Sequence, residues 1–354
     1  MRMAFLWPEM SGPADAWFRA TSALGHDMYL AYRGASGSAP YRESGFARYD
    51  ATYRYDDEAE ESRLIEDLDR FQPDVIVAVS WHRPAFRKVL RAWEGRAVRV
   101  LVMDNPWLGT PKQWLGRLTS RMYVRPLFDA AFVPGERQAV FASLLGFDDD
   151  EIWRGVYVID TSAFDHGPRS NAPTHPYFLL SARLAVEKGI EDLAEAWRLC
   201  VRDGMVGDWG LAVTGSGPLC NALANLPRVT MHGFVQPADL PAIYHRAGAL
   251  VLPSRFEPWG FVIQEGCAAG LPIIATTAVG ASPHLVRDGC NGWLVPPRRP
   301  DILAGRMADV AAMNESAWLR MSENSRALSS TYTPEGWARY LVSQCYRTAT
   351  AMRP

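Results

Sequence analysis

The sequence predicts an α/β protein made of two doubly wound parallel-sheet domains facing a cleft. Three observations carry that expectation. Short apolar runs alternate with longer amphipathic segments along nearly the whole chain, the pattern of strand, helix, strand. The alternation is interrupted once, by the polar stretch Asp165–Pro176 with three prolines, and restarts at Tyr177. A length of 354 residues suits about two domains of ordinary size. The expected division is a first domain at 1–165, a second at 166–333, and a closing helix at 334–354 that crosses back to the first.

Taken in order, Met3–Trp7 reads as the first strand, Pro8–Pro13 as a loop containing Gly12, Ala14–Leu24 as a helix and Met28–Tyr32 as the second strand. A strand, a Gly-containing loop and a helix form the opening unit of a doubly wound sheet, where bare backbone can approach a phosphate; a plain turn reads the same way. Gly34–Tyr41 reads as mobile. Asp56–Phe71 is an acidic helix and Asp74–Val79 an apolar strand with His82 just past its end, where ligands of such sheets gather; an ordinary loop histidine reads the same way. Helices follow at Pro84–Trp93 and Lys112–Arg125, on either side of a strand at Val98–Met103 that ends in Asp104 and Trp107. A strand at Asp129–Val133, a helix at Glu136–Leu145 and a strand at Gly155–Ile159 complete the first half. Asp148–Asp150 lies in a polar turn with no other ligand type nearby and reads as solvated, not as a metal site.

The second half repeats the scheme. Strands are expected at Tyr177–Ala182, Gly210–Thr214, Val229–His232, Gly248–Leu252, Ile273–Thr276 and Gly292–Val295, with a helix from Ile190, another at Asp239–Arg246, a Gly-rich loop at Val279–Pro283 and three helices from Asp301 onward. The strand ends lead into Arg183 with Lys188-Gly189, Gly215 with Gly217, Gly233 with Phe234 and Val235, and the stretch Pro253–Pro272. In that last stretch Pro258 and Gly260 disfavour helix at Glu257, so Glu257 belongs to a loop and Glu265 to a short helix opening near Phe261. Glu265 stands among apolar residues and calls for a polar partner. The N–H groups of Gly260, Phe261 and Val262 point out of the helix start, a setting for an anion.

Composition narrows the function. Net charge is −2, which speaks against a bulk nucleic-acid binder. The five cysteines (200, 220, 267, 290 and 345) are odd in number and lack metal or redox spacing, and the N-terminal apolar run is too short for a signal peptide; a reduced, cytoplasmic setting is expected. Only three of 37 basic residues are lysines (Lys88, Lys112 and Lys188), so Lys188 marks a place where a compact ammonium is needed. Charge is segregated in the first half. Asp50–Asp74 holds ten acidic residues, whereas Val75–Pro126 holds ten basic ones against Glu94 and Asp104. The basic, aromatic helices 84–93 and 112–125 read either as ordinary solvated faces or as a surface for an anionic acceptor or the inner face of an anionic membrane. In the second half, two cations, Gly-backed N–H groups and two carboxylates suit a diphosphate together with sugar and ribose hydroxyls. That set calls for a sugar nucleotide.

The ordered set resembles the retaining GT-B glycosyltransferases of the large family 4 group (group 1 glycosyltransferases), whose two domains are Rossmann-like. The matching pieces are Glu257-Pro-x-Gly-x-x-x-x-Glu265, Arg183-x-x-x-x-Lys188-Gly189, Gly215-x-Gly-Pro, Gly233-Phe-Val, Ala268–Pro272 and Asn291-Gly292. The resemblance covers about Tyr177–Pro297 and implies roles by position. Arg183 and Lys188 would stabilise the charge of the leaving nucleotide diphosphate. Phe261 and Val262 would donate backbone N–H groups, Glu257 would bind donor-sugar hydroxyls and Glu265 the ribose, while Gly12 would let the first domain's loop approach the donor. It implies a hexosyltransferase of the EC 2.4 class, used in polysaccharide and related biosynthesis. That enzyme would need no metal and no cofactor, would take a UDP- or GDP-type sugar, and would deliver it to a glycan, lipid-linked or small-molecule hydroxyl. Many members carry a His at the end of the strand matching Val98–Met103. Here Asp104 stands at that place, with His82 the nearest substitute and Trp107 a further acceptor-side residue. A GT-B-fold epimerase or phosphorylase, or a non-catalytic sugar-nucleotide-binding subunit, is the alternative.

Overall fold

A computed structural model describes residues 1–7, 10–33, 51–55 and 61–352. The chain divides into two compact units, residues 1–159 with 333–354, and residues 160–332. The first unit holds strands β1 (Arg2–Trp7), β2 (Asp27–Arg33), β3 (Ala51–Tyr55), β4 (Val75–Ala78), β5 (Val98–Val102), β6 (Ala130–Val133) and β7 (Ile152–Arg154), with helices α1 (Gly12–Ala23), α2 (Glu61–Phe71), α3 (Pro84–Ala92), α4 (Pro111–Tyr123) and α5 (Glu136–Leu144). The sheet is parallel, in the order β3-β2-β1-β4-β5-β6-β7. Its central strands are apolar on both faces, because helices cover both sides of a doubly wound sheet: Met3–Leu6 and Val75–Ala78 are wholly buried.

The second unit holds β8 (Tyr177–Ser181), α6 (Ile190–Arg202), β9 (Gly210–Thr214), α7 (Asn221–Ala224), β10 (Val229–Gly233), α8 (Leu240–Arg246), β11 (Ala249–Leu252), α9 (Phe261–Ala268), β12 (Ile273–Thr276), α10 (Ser282–Leu285), β13 (Gly292–Val295), α11 (Pro300–Ala311) and α12 (Glu315–Ser330). Its parallel sheet runs β10-β9-β8-β11-β12-β13. Both sheets thus reverse their winding direction after three strands, at β1/β4 and at β8/β11. In open α/β sheets the crevice outside such a switch point is where ligands bind.

The last helix, α13 (Pro334–Met352), belongs to the first unit. Trp337 on it stacks on Trp17 of α1 at 4.9 Å between ring centres, and Trp17 Nε1 donates to the carbonyl of Val158 at 2.7 Å. One buried ion pair ties the first sheet to its flank. Arg99 on β5 meets Asp129 through 2.8 Å and 3.1 Å bonds, and its remaining N–H groups reach the carbonyls of Leu90 and Pro126, so the buried guanidinium is well satisfied.

Several expectations need correcting. The strand expected at Gly155–Ile159 lies three residues earlier, at Ile152–Arg154. The apolar run Tyr157–Ile159 is buried outside the sheet, with Tyr157 against Trp17 at 4.8 Å between ring centres. Gly12 is not in a loop: it opens α1, whose N-cap is Ser11, with Pro13 in the first turn. The polar stretch Asp165–Pro176 lies inside the second unit, which begins at Asp160. Arg169 there donates to the carbonyls of Ala269 (2.9 Å) and Tyr244 (3.4 Å), and Asp165 pairs with Arg326 at 2.7 Å. β3, α7 and α10 were not anticipated. The expectation for Gly34–Tyr41 lies outside the described residues.

Candidate active site

The site of the second unit is assembled from the loops that leave β8, β9, β11 and β12. After β8 the chain passes Arg183 and makes a single 3-10 turn, Val186–Lys188, closed by Gly189 in the left-handed region at φ +67°. Gly189 is required there for a second reason. A Cβ would come within 2.0 Å of the carbonyl oxygen of Pro253, so the backbone after β11 passes directly against this turn. The N–H groups of Arg255 and Phe256 both donate to the Glu187 carbonyl, at 2.8 and 3.0 Å. Arg255 adds a bidentate pair with Asp192 at 2.8 Å on each nitrogen and reaches Glu191 at 3.2 Å. The Lys188 turn and the Glu257 loop are therefore one interlocked piece.

Within that piece the Lys188 ammonium pairs with the Glu257 carboxylate, both side chains being only 16% exposed. Glu257 itself is extended and forms a parallel bridge to Val279; the N–H of Gly280 donates to the Glu257 carbonyl at 3.0 Å. Gly260, at φ +97°, turns the chain into α9, so Phe261 and Val262 occupy the helix's first turn, whose N–H groups have no intrahelical acceptors. Arg183 is placed differently. It is 68% exposed and its guanidinium pairs with Glu187, four residues on. The structure thus joins Lys188 to Glu257 and leaves Arg183 in a surface pair beside them.

Glu265 lies inside α9, as its setting required, and its partner is Tyr244 of α8, whose hydroxyl donates to Oε2 at 2.6 Å. Burial pushes the Glu265 carboxyl up to about 7, opposed by that hydrogen bond. The Tyr244 hydroxyl is itself pushed well above its usual range by burial, then by the Glu265 charge, while a hydrogen bond with Ser181 at the end of β8 pulls the other way. Gly215, at φ +119°, follows β9; a Cβ there would come within 2.0 Å of the Ala182 carbonyl oxygen, which brings the loops after β8 and β9 into backbone contact. Beyond β10, Phe234 is exposed and Val235 half-buried.

The first unit gathers its own set. Gly12, His82 and Asp104 follow β1, β4 and β5, three neighbouring strands that straddle that sheet's switch point. Asp104 is half-buried, and its charge adds to burial in raising the Tyr157 phenol well above its usual value. His82 is exposed and touches Trp81, with ring centres 4.7 Å apart. Its pKa is lowered by partial burial, then by the charges of Lys112 and Arg87. Trp107 packs edge-on to Trp114 at 5.3 Å and against Phe141 at 5.6 Å. Asp149, in the acidic turn read as solvated, pairs with Arg154 at 2.6 Å. No cluster of metal-ligating side chains occurs among the described residues, and all five cysteines are free thiols.

Sequence reasoning missed Tyr244, Arg255 and Glu187 as parts of this site. Arg255 stood within the stretch singled out, but its partner Asp192 is 63 residues away, and Tyr244 is 21 residues from Glu265. Neither pairing has a local signature.

Residues 175–312 match the family model described as "Glycosyl transferases group 1". An alpha-D-kanosaminyltransferase from Streptomyces kanamyceticus is 33% identical over 163 residues, 43% of this chain and 40% of the relative. A D-inositol 3-phosphate glycosyltransferase from Xylanimonas cellulosilytica is 31% identical over 192 residues, 51% of this chain and 44% of the relative. The matches therefore span less than half the length of these relatives. Among solved structures, a glycosyltransferase from Rickettsia africae superposes with a TM-score of 0.73 at 15% identity, covering 99% of this chain and 98% of the other. Anabaena Alr3699/HepE, solved in complex with UDP, gives 0.72 at 17% identity, covering 99% of each chain. The fold is that of the two-domain GT-B glycosyltransferases.

Proposed function

We propose, from the premise that the second unit carries a group 1 glycosyltransferase domain, that the chain transfers a sugar from a nucleotide diphosphate sugar to an acceptor hydroxyl. The observation that carries this reading is the Lys188–Glu257 pair set beside the first turn of α9, at the carboxyl ends of β8 and β11. A cation, a carboxylate and a helix N-terminus on one interlocked piece of backbone meet the needs of a diphosphate and a sugar together.

In the proposed reaction the acceptor oxygen bonds to the anomeric carbon as the bond from that carbon to the diphosphate oxygen breaks. The electron pair leaves with the diphosphate, and the acceptor's proton passes to a phosphate oxygen on the same face, giving retention. Lys188 and Arg183 stabilise the charge that accumulates on the diphosphate. Glu257 orients the sugar hydroxyls and Glu265 accepts from the ribose. Gly260, Phe261 and Val262 bring backbone to the donor, with Gly12, Gly215, Phe234 and Val235 as further donor contacts. On the first unit, Asp104 takes the place of the family's histidine, and His82 and Trp107 meet the acceptor. The proposed reaction needs no metal or cofactor.

A thermal-shift panel of UDP, GDP, ADP and their sugar conjugates tests the donor assignment. A ligand held at 100 times its Kd stabilises by about 2.7 kcal/mol, so at least one nucleotide should raise Tm by several degrees. The rise should shrink sharply in Lys188→Ala. Equal shifts in native and variant protein, or none from any nucleotide, would remove the assignment.

A further inference from the structure

We propose that α4 is an interfacial anchor that seats the first unit on an anionic lipid bilayer. A surface helix normally buries its large apolar side chains and turns small or polar ones outward. α4 does the reverse. Gln113 and Gly116 are half-buried, and Ser120 is buried with its hydroxyl donating to the Leu145 carbonyl. By contrast Leu118 is 77% exposed, Met122 69% and Leu115 62%, and Trp114 is exposed with them. At roughly 100° per residue, positions 114, 115, 118 and 122 fall within one arc of roughly 100°, while 113, 116 and 120 lie on the opposite side. The outward apolar stripe is therefore continuous, and Leu108 just before the helix is exposed as well.

The orientation is fixed by specific bonds. Thr110 caps the helix in a capping box with Gln113. Gln113 Oε1 accepts from the N–H of Leu108 at 2.8 Å, and its Nε2 donates to the Pro106 carbonyl at 2.8 Å. With Ser120 tied to Leu145, the helix cannot roll to hide its leucines without breaking these contacts.

Charge decides what covers the stripe. α3 and α4 together carry Arg87, Lys88, Arg91, Lys112, Arg117 and Arg121 and no acidic residue. Arg87 lies over the Tyr123 ring at 5.8 Å, joining the two helices, and Arg117 lies over Trp114 at 5.0 Å. Two copies of this face would repel each other, whereas an anionic headgroup layer would receive the cations and the acyl boundary the leucines. Trp and Tyr beside such a stripe suit the headgroup level. At 13 residues α4 is far shorter than the roughly 20 residues a membrane-spanning helix needs, so it lies in the plane of the surface. Among the described residues no helix is long and apolar enough to cross a membrane.

The test is co-sedimentation of the full chain with phosphatidylcholine vesicles, with and without phosphatidylglycerol, at low and high salt; it does not depend on catalysis. The native protein should bind the anionic vesicles and release in high salt. The triple variant L115Q/L118Q/M122Q should lose about tenfold in binding at unchanged Tm, and K112Q/R117Q/R121Q a comparable amount. Absence of binding by the native protein would overturn the proposal. So would equal binding by the leucine variant, or a lipid-free dimer that the leucine variant dissociates.

Discussion

The two sheets share one strand order up to their sixth strand, and both switch direction after three strands, yet their carboxyl edges are built by different means. On the second, backbone presses on backbone. Gly189 lies against Pro253 and Gly215 against Ala182, each leaving no room for a single methyl group. Ion pairs then lock Arg255 to Asp192 and Lys188 to Glu257. On the first, a Cβ on Gly12 would meet nothing within 4 Å, and His82 stands exposed. On the proposed function, with the donor at the second edge and the acceptor at the first, the difference bears on where specificity is fixed. An edge held by backbone contacts keeps cation, carboxylate and helix start at set distances, as a group with fixed chemistry such as a diphosphate demands. An edge that presents separate side chains can change partners by substitution alone, which suits an acceptor that varies.

Methyl groups added to the two edges break or sharpen this comparison most directly. Gly189→Ala forces a side chain into left-handed backbone and against a carbonyl oxygen, and should destabilise the second unit by about 2–4 kcal/mol. Gly12→Ala, at the first turn of α1, should change stability by less than about 0.5 kcal/mol. Urea denaturation of both variants measures the contrast; a neutral Gly189→Ala would mean that the interlock is loose.

Lys188→Ala comes next: if Lys188 holds the diphosphate as proposed, turnover should fall by about 10²–10³ through loss of one charge-assisted phosphate contact. It also leaves the Glu257 carboxylate mostly buried without its cation. Arg183→Ala should cost less, since Arg183 sits in an exposed pair with Glu187. Steady-state kinetics that rank the two in the opposite order would move the principal diphosphate contact to Arg183.

Glu265→Gln separates stability from binding. The folded-state carboxyl titrates at about 7, above its ordinary 4.5. The native protein should therefore lose stability relative to the Gln variant as pH rises from 4.5 to 7, and the gap should stay constant above that. At pH 8 the variant should be more stable by roughly 1–3 kcal/mol, because the penalty for burying the charge is gone. Nucleotide affinity should move the other way, falling in the variant, and in the native protein rising through pH 7 as the carboxylate ionises to accept ribose hydroxyls. Denaturation curves at pH 4.5 and 8, paired with nucleotide titrations, check both signs. A variant that gains stability and keeps full affinity would remove Glu265 from the ribose.

Much of this was legible because it is local. Alternating apolar runs located most strands, and Pro258 with Gly260 separated a loop Glu257 from a helical Glu265. Glycines in the strand-end loops marked Gly189 and Gly215. What was not legible is tertiary. The run Tyr157–Ile159 has strand composition but is buried outside the sheet, against Trp17, so β7 was placed three residues late. Tyr244 meets Glu265 only because α8 and α9 pack together. For α4 the basic and aromatic composition was visible, but the sequence alone cannot say that the helix turns its serine inward and its leucines out.

The smallest expected effect belongs to His82, and it probes the looser edge. Partial burial and the charges of Lys112 and Arg87 hold its pKa below the ordinary value, so it is neutral at pH 7. A neutral imidazole can accept a hydrogen bond from an acceptor hydroxyl, which a protonated ring cannot. His82→Ala should lower turnover by less than about tenfold and act mainly on the acceptor KM, while the stability curve stays in place. Lys112→Gln should raise the His82 pKa toward its ordinary value, measurable by NMR titration of the ring. If His82→Ala instead matches Lys188→Ala in kcat, the histidine acts on the reacting bond and the first unit's edge is as exacting as the second. If it changes neither kcat nor KM, Asp104 is left as the principal polar contact that the first unit offers.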